Sequence, residues 1–339
     1  MNLLLSDSSD SFLEELIDEY CLNDNDIVYL QTIKPRTMIN ERQYITKENY
    51  WLNSFPSFPE NAFVKKYRMR RASFNQIAEQ YFEQSNLNYE NDWKLCLALT
   101  IEYLSCRSRQ FDLSVLYGVS VGKVNEHISR GVYVLAVFLT EDVVTWPNEE
   151  ERALIAQQHH SRWDMPMCIG AIDGTLVCTK GYQPNKTELN TRKCHYGFNV
   201  LLLCDDSALV RYYVAGSCGS LSDSTIFENT NLYNQLNTKL FNSNRVTHNY
   251  YVISDKGIPN TDFIVTPFVD DGNLSAQQIR FNNKLQSARQ IVERTDMFLK
   301  LRYQAIRETI TAVREDKAIQ MVTACIGLHN FSIISGILL

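Results

Sequence analysis

The chain has 339 residues, 45% hydrophobic and 21% charged, with a formal net charge of -6. That length predicts two domains, and no apolar run approaches the roughly 18 residues of a membrane span. Nine cysteines stand singly without a Cys-x-x-Cys pair, which argues against a zinc module or a disulfide framework and for a reducing compartment, cytosol or nucleus.

The start, Met1 to Asp7, lacks the basic and apolar regions of a secretory signal. Residues 1–30 hold eight acids and no Lys or Arg, so the rest of the chain is weakly basic behind an acidic arm. Bulk charge therefore predicts no strong non-specific DNA binding, though local basic patches can still bind. Within the arm, Phe12, Leu13, Leu16, Ile17 and Tyr20 have near-helical spacing. They fit a flexible arm with one short amphipathic helix, or a helix that docks on a partner.

From Phe63 the pattern is helical. A basic knot, Tyr67 to Arg71, precedes an expected N-cap at Ser73 and the apolar positions Ile77, Ala78, Tyr81 and Phe82, and a second helix is predicted from Trp93 to Leu104. Next, a helix ends at Gly118 and Ser120 caps another, with Val124, Ile128 and Val132 inward. This is helix-turn-helix spacing, and it would turn Lys123, Asn125, His127 and Arg130 outward toward a major groove. Plain helix packing gives the same pattern.

Trp146-Pro147 and the acids after it mark a boundary. Beyond residue 165 the texture becomes strand-like: Met167–Lys180, Phe198–Cys204 and Ala208–Ala215, then a helix from Thr225 to Leu236. Tyr250–Ser254 and Phe263–Phe268 follow as strands, and Ala276–Glu308 and Thr311–Asn330 as helices. Expected are an acidic arm (1–60), an all-α domain (61–146), a linker helix (147–165) and a mixed α/β domain (166–339).

Three acids fall at special places in the last part. Asp173 interrupts the first strand, Asp255 ends the fourth, and Glu293 lies within the long helix. A lone acid in an apolar run needs a partner or a metal if buried. Asp173-Gly174 also fits the centre of a hairpin turn. If the two strands are neighbours and the helix crosses them, the three carboxylates converge where open sheets gather ligands. Their oxygens suit Mg²⁺ or Mn²⁺, and two such ions about 3.5–4 Å apart would serve phosphodiester cleavage. Asp223 is a fourth candidate ligand, or a first-turn acid of its helix. Lys186, Arg192 and Lys193 could hold phosphates or form a solvated loop. His195 and His329 are read as structural hydrogen-bonding groups.

In order along the chain stand Tyr67-Arg68-Met69, Tyr117-Gly118-Val119-Ser120, Gly170-Ala171-Ile172-Asp173-Gly174-Thr175, Arg192-Lys193, Cys204-Asp205, Asp223-Ser224, Asp255-x-Gly257, Thr266-Pro267-Phe268, Arg289-x-x-Val292-Glu293-Arg294 and Leu328-His329-Asn330. With these blocks, and 37 residues between Asp255 and Glu293, residues 63–331 resemble the PIF/Harbinger-type transposases and their domesticated nuclease relatives, in the DDE endonuclease superfamily. The resemblance implies an RNase H-like domain: a mixed five-stranded sheet flanked by helices, preceded by the all-α helix-turn-helix domain. It implies Asp173, Asp255 and Glu293 as a metal-binding catalytic triad, with Asp223 a further ligand and a divalent cation, Mg²⁺ or Mn²⁺, as cofactor. It also implies DNA as substrate, a Myb-like DNA-binding partner protein, and the nucleus as location with room for a cytoplasmic pool; a homodimer is compatible with it. The chain departs from the family at Lys256, Leu176, Ser222 and Thr295-Asp296. Those departures keep open the alternative of a catalytically silent chromatin or transcription-complex subunit.

Overall fold

The computed structural model describes residues 55–83, 92–180, 196–229, 250–310 and 314–336, all within one compact unit that begins at Glu48. The amphipathic stretch of the arm, and Lys186, Arg192, Lys193 and His195, lie outside the described residues.

Helices α1 (Glu60–Tyr67) and α2 (Arg71–Ile77) are joined by the basic knot, which is largely structural. Ser73, expected as an N-cap, is instead buried inside α2, which starts two residues before it with Arg70 at the cap position. Arg71 donates to the carbonyls of Phe55 and Phe58 at 3.1 and 2.6 Å and lies over the Phe63 ring. Around it Phe55, Phe63, Tyr67 and Phe74 form one aromatic cluster, the arrangement that contributes most per residue to a small helical core. Helix α3 (Trp93–Cys106) starts where Asp92 caps it. Helix α4 (Gln110–Tyr117) ends at Gly118 in the left-handed region, φ 72°, and Ser120 caps α5 (Val121–Val134) through the Lys123 N–H. His127 is buried rather than outward. It stands three residues after Val124, and that spacing puts the two on one helix face.

After α6 (Thr140–Val143) and the Trp146-Pro147 break, a capping box of Asn148 and Glu151 opens α7 (Glu149–Trp163). The sheet follows as β1 (Cys168–Cys178), β2 (Gly197–Cys204), β3 (Val210–Cys218), β4 (Tyr251–Ile253) and β5 (Ile264–Val265), with α8 (Asp223–Asn229) after β3. Strand order is β3-β2-β1-β4-β5. The β1–β2 and β2–β3 pairs are antiparallel, and β1–β4 and β4–β5 are parallel. Asp173 and Gly174 pair with Leu202 and Leu201 in mid-strand, so they do not form a hairpin turn. The expected mixed five-stranded sheet flanked by helices is what forms.

Alternation along β2 assigns the two faces. Phe198, Val200, Leu202 and Cys204 enter the larger core, while Leu201 and Leu203 enter the smaller one with Ile155 and Ala156 of α7 and Phe227 of α8. The larger core is completed by α9 (Ala276–Arg302) and α11 (Glu315–Ile334), with the short α10 (Gln304–Arg307) between them. It continues without interruption into α1–α6. The helix expected to run from Ala276 to Glu308 is broken at Tyr303, whose backbone is extended. Beyond the break Ile310 bridges to Thr179 at the end of β1, and its N–H and C=O bond Cys178 and Lys180. Nothing in the local sequence demands that break; the strand pairing and the burial of Tyr303 favour it.

Candidate active site

The register of β1 against β4 places Ala171 beside Ile253. Two residues beyond that pair stand Asp173, in the middle of β1, and Asp255, just past the carboxyl end of the parallel strand β4. The carboxyl ends of parallel strands are where open α/β sheets bind ligands. Asp173 shares a strand face with Ala171, the face covered by α9.

Asp223 arrives from the start of α8. Its carboxylate occupies the space beside Gly174, where a Cβ would overlap it. Gly174 thus makes room for a fourth acid. Asp223 is at once a first-turn acid of its helix, next to the capping Ser222, and a neighbour of the other two aspartates.

The electrostatics report the convergence. Burial pushes the Asp173 carboxyl up to about 6, Arg289 and the Gly174 N–H oppose this, and the charges of Asp255 and Asp223 add to it. Asp223 is likewise raised, by burial first and then by Asp255. Asp255 accepts from its own loop, the Gly257 N–H at 2.7 Å.

Glu293 is joined to this group through a cation. Arg289, one turn earlier on α9, donates to Asp173 Oδ2 at 2.8 Å and to Glu293 Oε1 at 2.5 Å. Arg289 therefore stands between the first and third acids. Further along the same helix Asp296 accepts from Thr175 Oγ1 at 2.9 Å and pairs with Lys300 at 3.0 Å. Thr175 is the next residue of β1 on the Asp173 face. Lys256 is exposed and pairs with no carboxylate among the described residues. The roles of Arg289, Asp296 and Lys300 were not apparent from the sequence. The available signal was i,i+4 spacing, Arg289 with Glu293 and Asp296 with Lys300, which marks ion pairs on one helix face.

The donor set consists of hard carboxylate oxygens and so suits a divalent cation of the Mg²⁺ or Mn²⁺ kind. Among the described residues no three His, Cys, Asp or Glu side chains stand in metal-holding geometry; the positive charge at the acids is that of Arg289.

Of the residues read as DNA contacts, Lys123 and Asn125 are exposed on α5 and Arg130 pairs with Glu126. They lie on a different element from the acids. His329 forms the structural hydrogen bond expected of it, from Nε2 to the Ala208 carbonyl at 3.0 Å. No helix among the described residues is long and apolar enough to cross a membrane.

Residues 172–330 match the family model described as DDE superfamily endonuclease. The chain is 26% identical over 222 residues to Protein ALP1-like of Arabidopsis thaliana, covering 57% of this chain and 53% of that protein. It is 24% identical over 176 residues to the protein named Putative nuclease HARBI1 of Rattus norvegicus, covering 51% of this chain and 48% of that one. The chain spans about half the length of these curated relatives. No solved structure matches it. With the matched segment beginning at the strand of Asp173 and ending on α11, residues 172–330 carry a DDE superfamily endonuclease domain, homologous to the Harbinger transposase-derived nucleases.

Proposed function

We propose that this protein is a metal-dependent DNA endonuclease of transposase descent, with an RNase H-like sheet and Asp173, Asp255 and Glu293 as its catalytic acids. One observation carries the reading: Asp173 within β1 and Asp255 just past the end of the adjacent parallel strand β4, with Asp223 against Gly174 and all three close enough for their charges to interact. Asp173, Asp223, Asp255 and Glu293 would hold the cation, and two ions would suit the chemistry. A bound divalent cation supplies Lewis acidity to a phosphodiester oxygen and lowers the pKa of an attacking water. The protein contributes negative oxygens on a rigid central strand, and the covering helix α9 limits water on one side. Such a site cleaves DNA strands by in-line attack at phosphorus.

DNA would be reached through Lys123, Asn125 and Arg130 on α5, with the capped turn Gly118–Ser120 setting that helix against α4. The basic residues Lys186, Arg192 and Lys193 would supply further phosphate contacts. The weak basicity of the chain beyond residue 30 suits a Myb-like partner that adds DNA affinity, and nuclear action would go with a DNA substrate. Substituting Lys123 and Arg130 by Ala lowers DNA affinity and flattens its salt dependence if α5 contacts phosphates; unchanged binding assigns α5 to packing alone.

A second reading is favoured by Arg289: a guanidinium between Asp173 and Glu293 suits a catalytically silent chromatin or transcription-complex subunit that keeps the fold as a binding module. Strand cleavage separates the two. With Mg²⁺ or Mn²⁺, and with or without a DNA-binding partner, the endonuclease cuts DNA and loses activity in Asp255→Asn and Glu293→Gln. The silent subunit binds DNA or protein and cuts under no condition.

A further inference from the structure

We infer that Arg289 is a positioning residue of the acid site: its guanidinium is a built-in counter-cation that ties Asp173 to Glu293 and competes with a divalent cation for them. The inference rests on the cation-binding reading proposed above. Asp173 belongs to β1 and Glu293 to α9, so the fork of Arg289 links two elements through two oxygens, at 2.8 and 2.5 Å. The planar guanidinium makes this bridge with two N–H groups in fixed directions, whereas a Lys ammonium would act as a flexible point charge. The Arg289 side chain is 15% exposed and that of Asp173 24%, so the pair is shielded from solvent screening. The other Asp173 oxygen is taken by the Gly174 N–H at 3.0 Å.

Both Asp173 oxygens already accept a hydrogen bond in this arrangement. A cation seated between Asp173 and Glu293 takes the place, and the lone pairs, that the guanidinium now occupies. The apparent affinity for the cation is reduced by the fraction of molecules in which Arg289 is in place. An arrangement present in 90–99% of molecules weakens cation binding about 10- to 100-fold. Lys300 and Asp296, further along α9 on Thr175, form a separate pair that leaves this competition to Arg289.

The test is Mn²⁺ binding without DNA. Mn²⁺ alone is titrated into the full chain, with free Mn²⁺ read by electron paramagnetic resonance and heat by calorimetry. Wild type, Arg289→Gln, Arg289→Lys and Asp173→Asn are compared, with circular dichroism as the check on folding. Arg289→Gln is expected to bind Mn²⁺ about 10- to 100-fold more tightly than wild type, Arg289→Lys to fall between them, and Asp173→Asn to lose the site. Equal or weaker binding by Arg289→Gln, with Asp173-dependent binding intact, overturns the inference and leaves the cation site standing. Absence of any Asp173-dependent Mn²⁺ binding, in wild type and variants alike, overturns the cation site itself and the inference with it. If Arg289→Gln does not fold, Arg289→Lys decides: tighter binding than wild type supports the competition, and equal binding overturns it.

Discussion

Gly174 holds the least replaceable space in the site, because the Asp223 carboxylate fills the volume of the missing side chain. Gly174→Ala forces Asp223 aside and costs about 1–3 kcal/mol in urea unfolding, the usual range for overpacking. The double variant with Asp223→Ala recovers part of that loss, and strict additivity would show that the two residues do not share the space. His329 illustrates a buried titratable group outside the site. Burial holds its imidazole down at about 4, whereas the unfolded chain takes up that proton near 6.5. The unfolded state therefore binds more protons between those values, and stability falls as pH falls through the window, by up to about 3 kcal/mol. His329→Gln flattens that portion of the stability profile; an unchanged pH dependence would show that another group governs it. At this scale the sequence exposed Asp173 and Asp255 because an acid that interrupts or ends an apolar strand is visible without neighbours. The link from Arg289 to Asp173 was not visible, since it depends on which face of α9 meets β1.

Among the elements, α11 organises the packing. Asn330 accepts the Val210 N–H at 2.9 Å and donates to the carbonyls of Val210 and Val143 at 2.8 and 3.0 Å. It thus fastens the first residue of β3 and the end of α6 to one helix. Asn330→Ala takes the amide from two buried backbone groups of Val210 and the half-buried Val143 carbonyl, and an expected loss of about 2–4 kcal/mol follows from one to three such penalties. A loss below 1 kcal/mol, within ordinary surface scatter, would mean that water replaces the amide. The helix cap at Ser120 was legible, because a capping side chain acts within three residues of its own position; Asn148 and Ser275 cap their helices by the same local rule. The break at Tyr303 was not legible. It answers to the pairing of Ile310 with the end of β1, a contact between residues far apart in the chain.

In the molecule as a whole, the α-helical part and the α/β part share a core, and the side of the sheet that carries Asp173 is the side that α9 covers. Movement of α9 would therefore alter the separation of Glu293 from Asp173 and Asp255, and the helices around α3 and α5 stiffen the frame behind it. Thr140 shows how close that coupling is: its hydroxyl donates to the Leu135 and Thr323 carbonyls at 2.8 and 3.0 Å, and it occupies the space left by Gly327. The same frame would suit a nuclease or a silent binding subunit, so fold alone does not decide activity. The deciding measurement is single-turnover cleavage of double-stranded DNA with Mn²⁺, alongside DNA affinity, for wild type and Asp173→Asn. Cleavage by wild type with a loss of about 10³-fold or more in the variant, at unchanged affinity, is the predicted result for removal of a charge acting in the transition state. Equal rates in the two proteins, or no cleavage by wild type with its DNA-binding partner present, would contradict it.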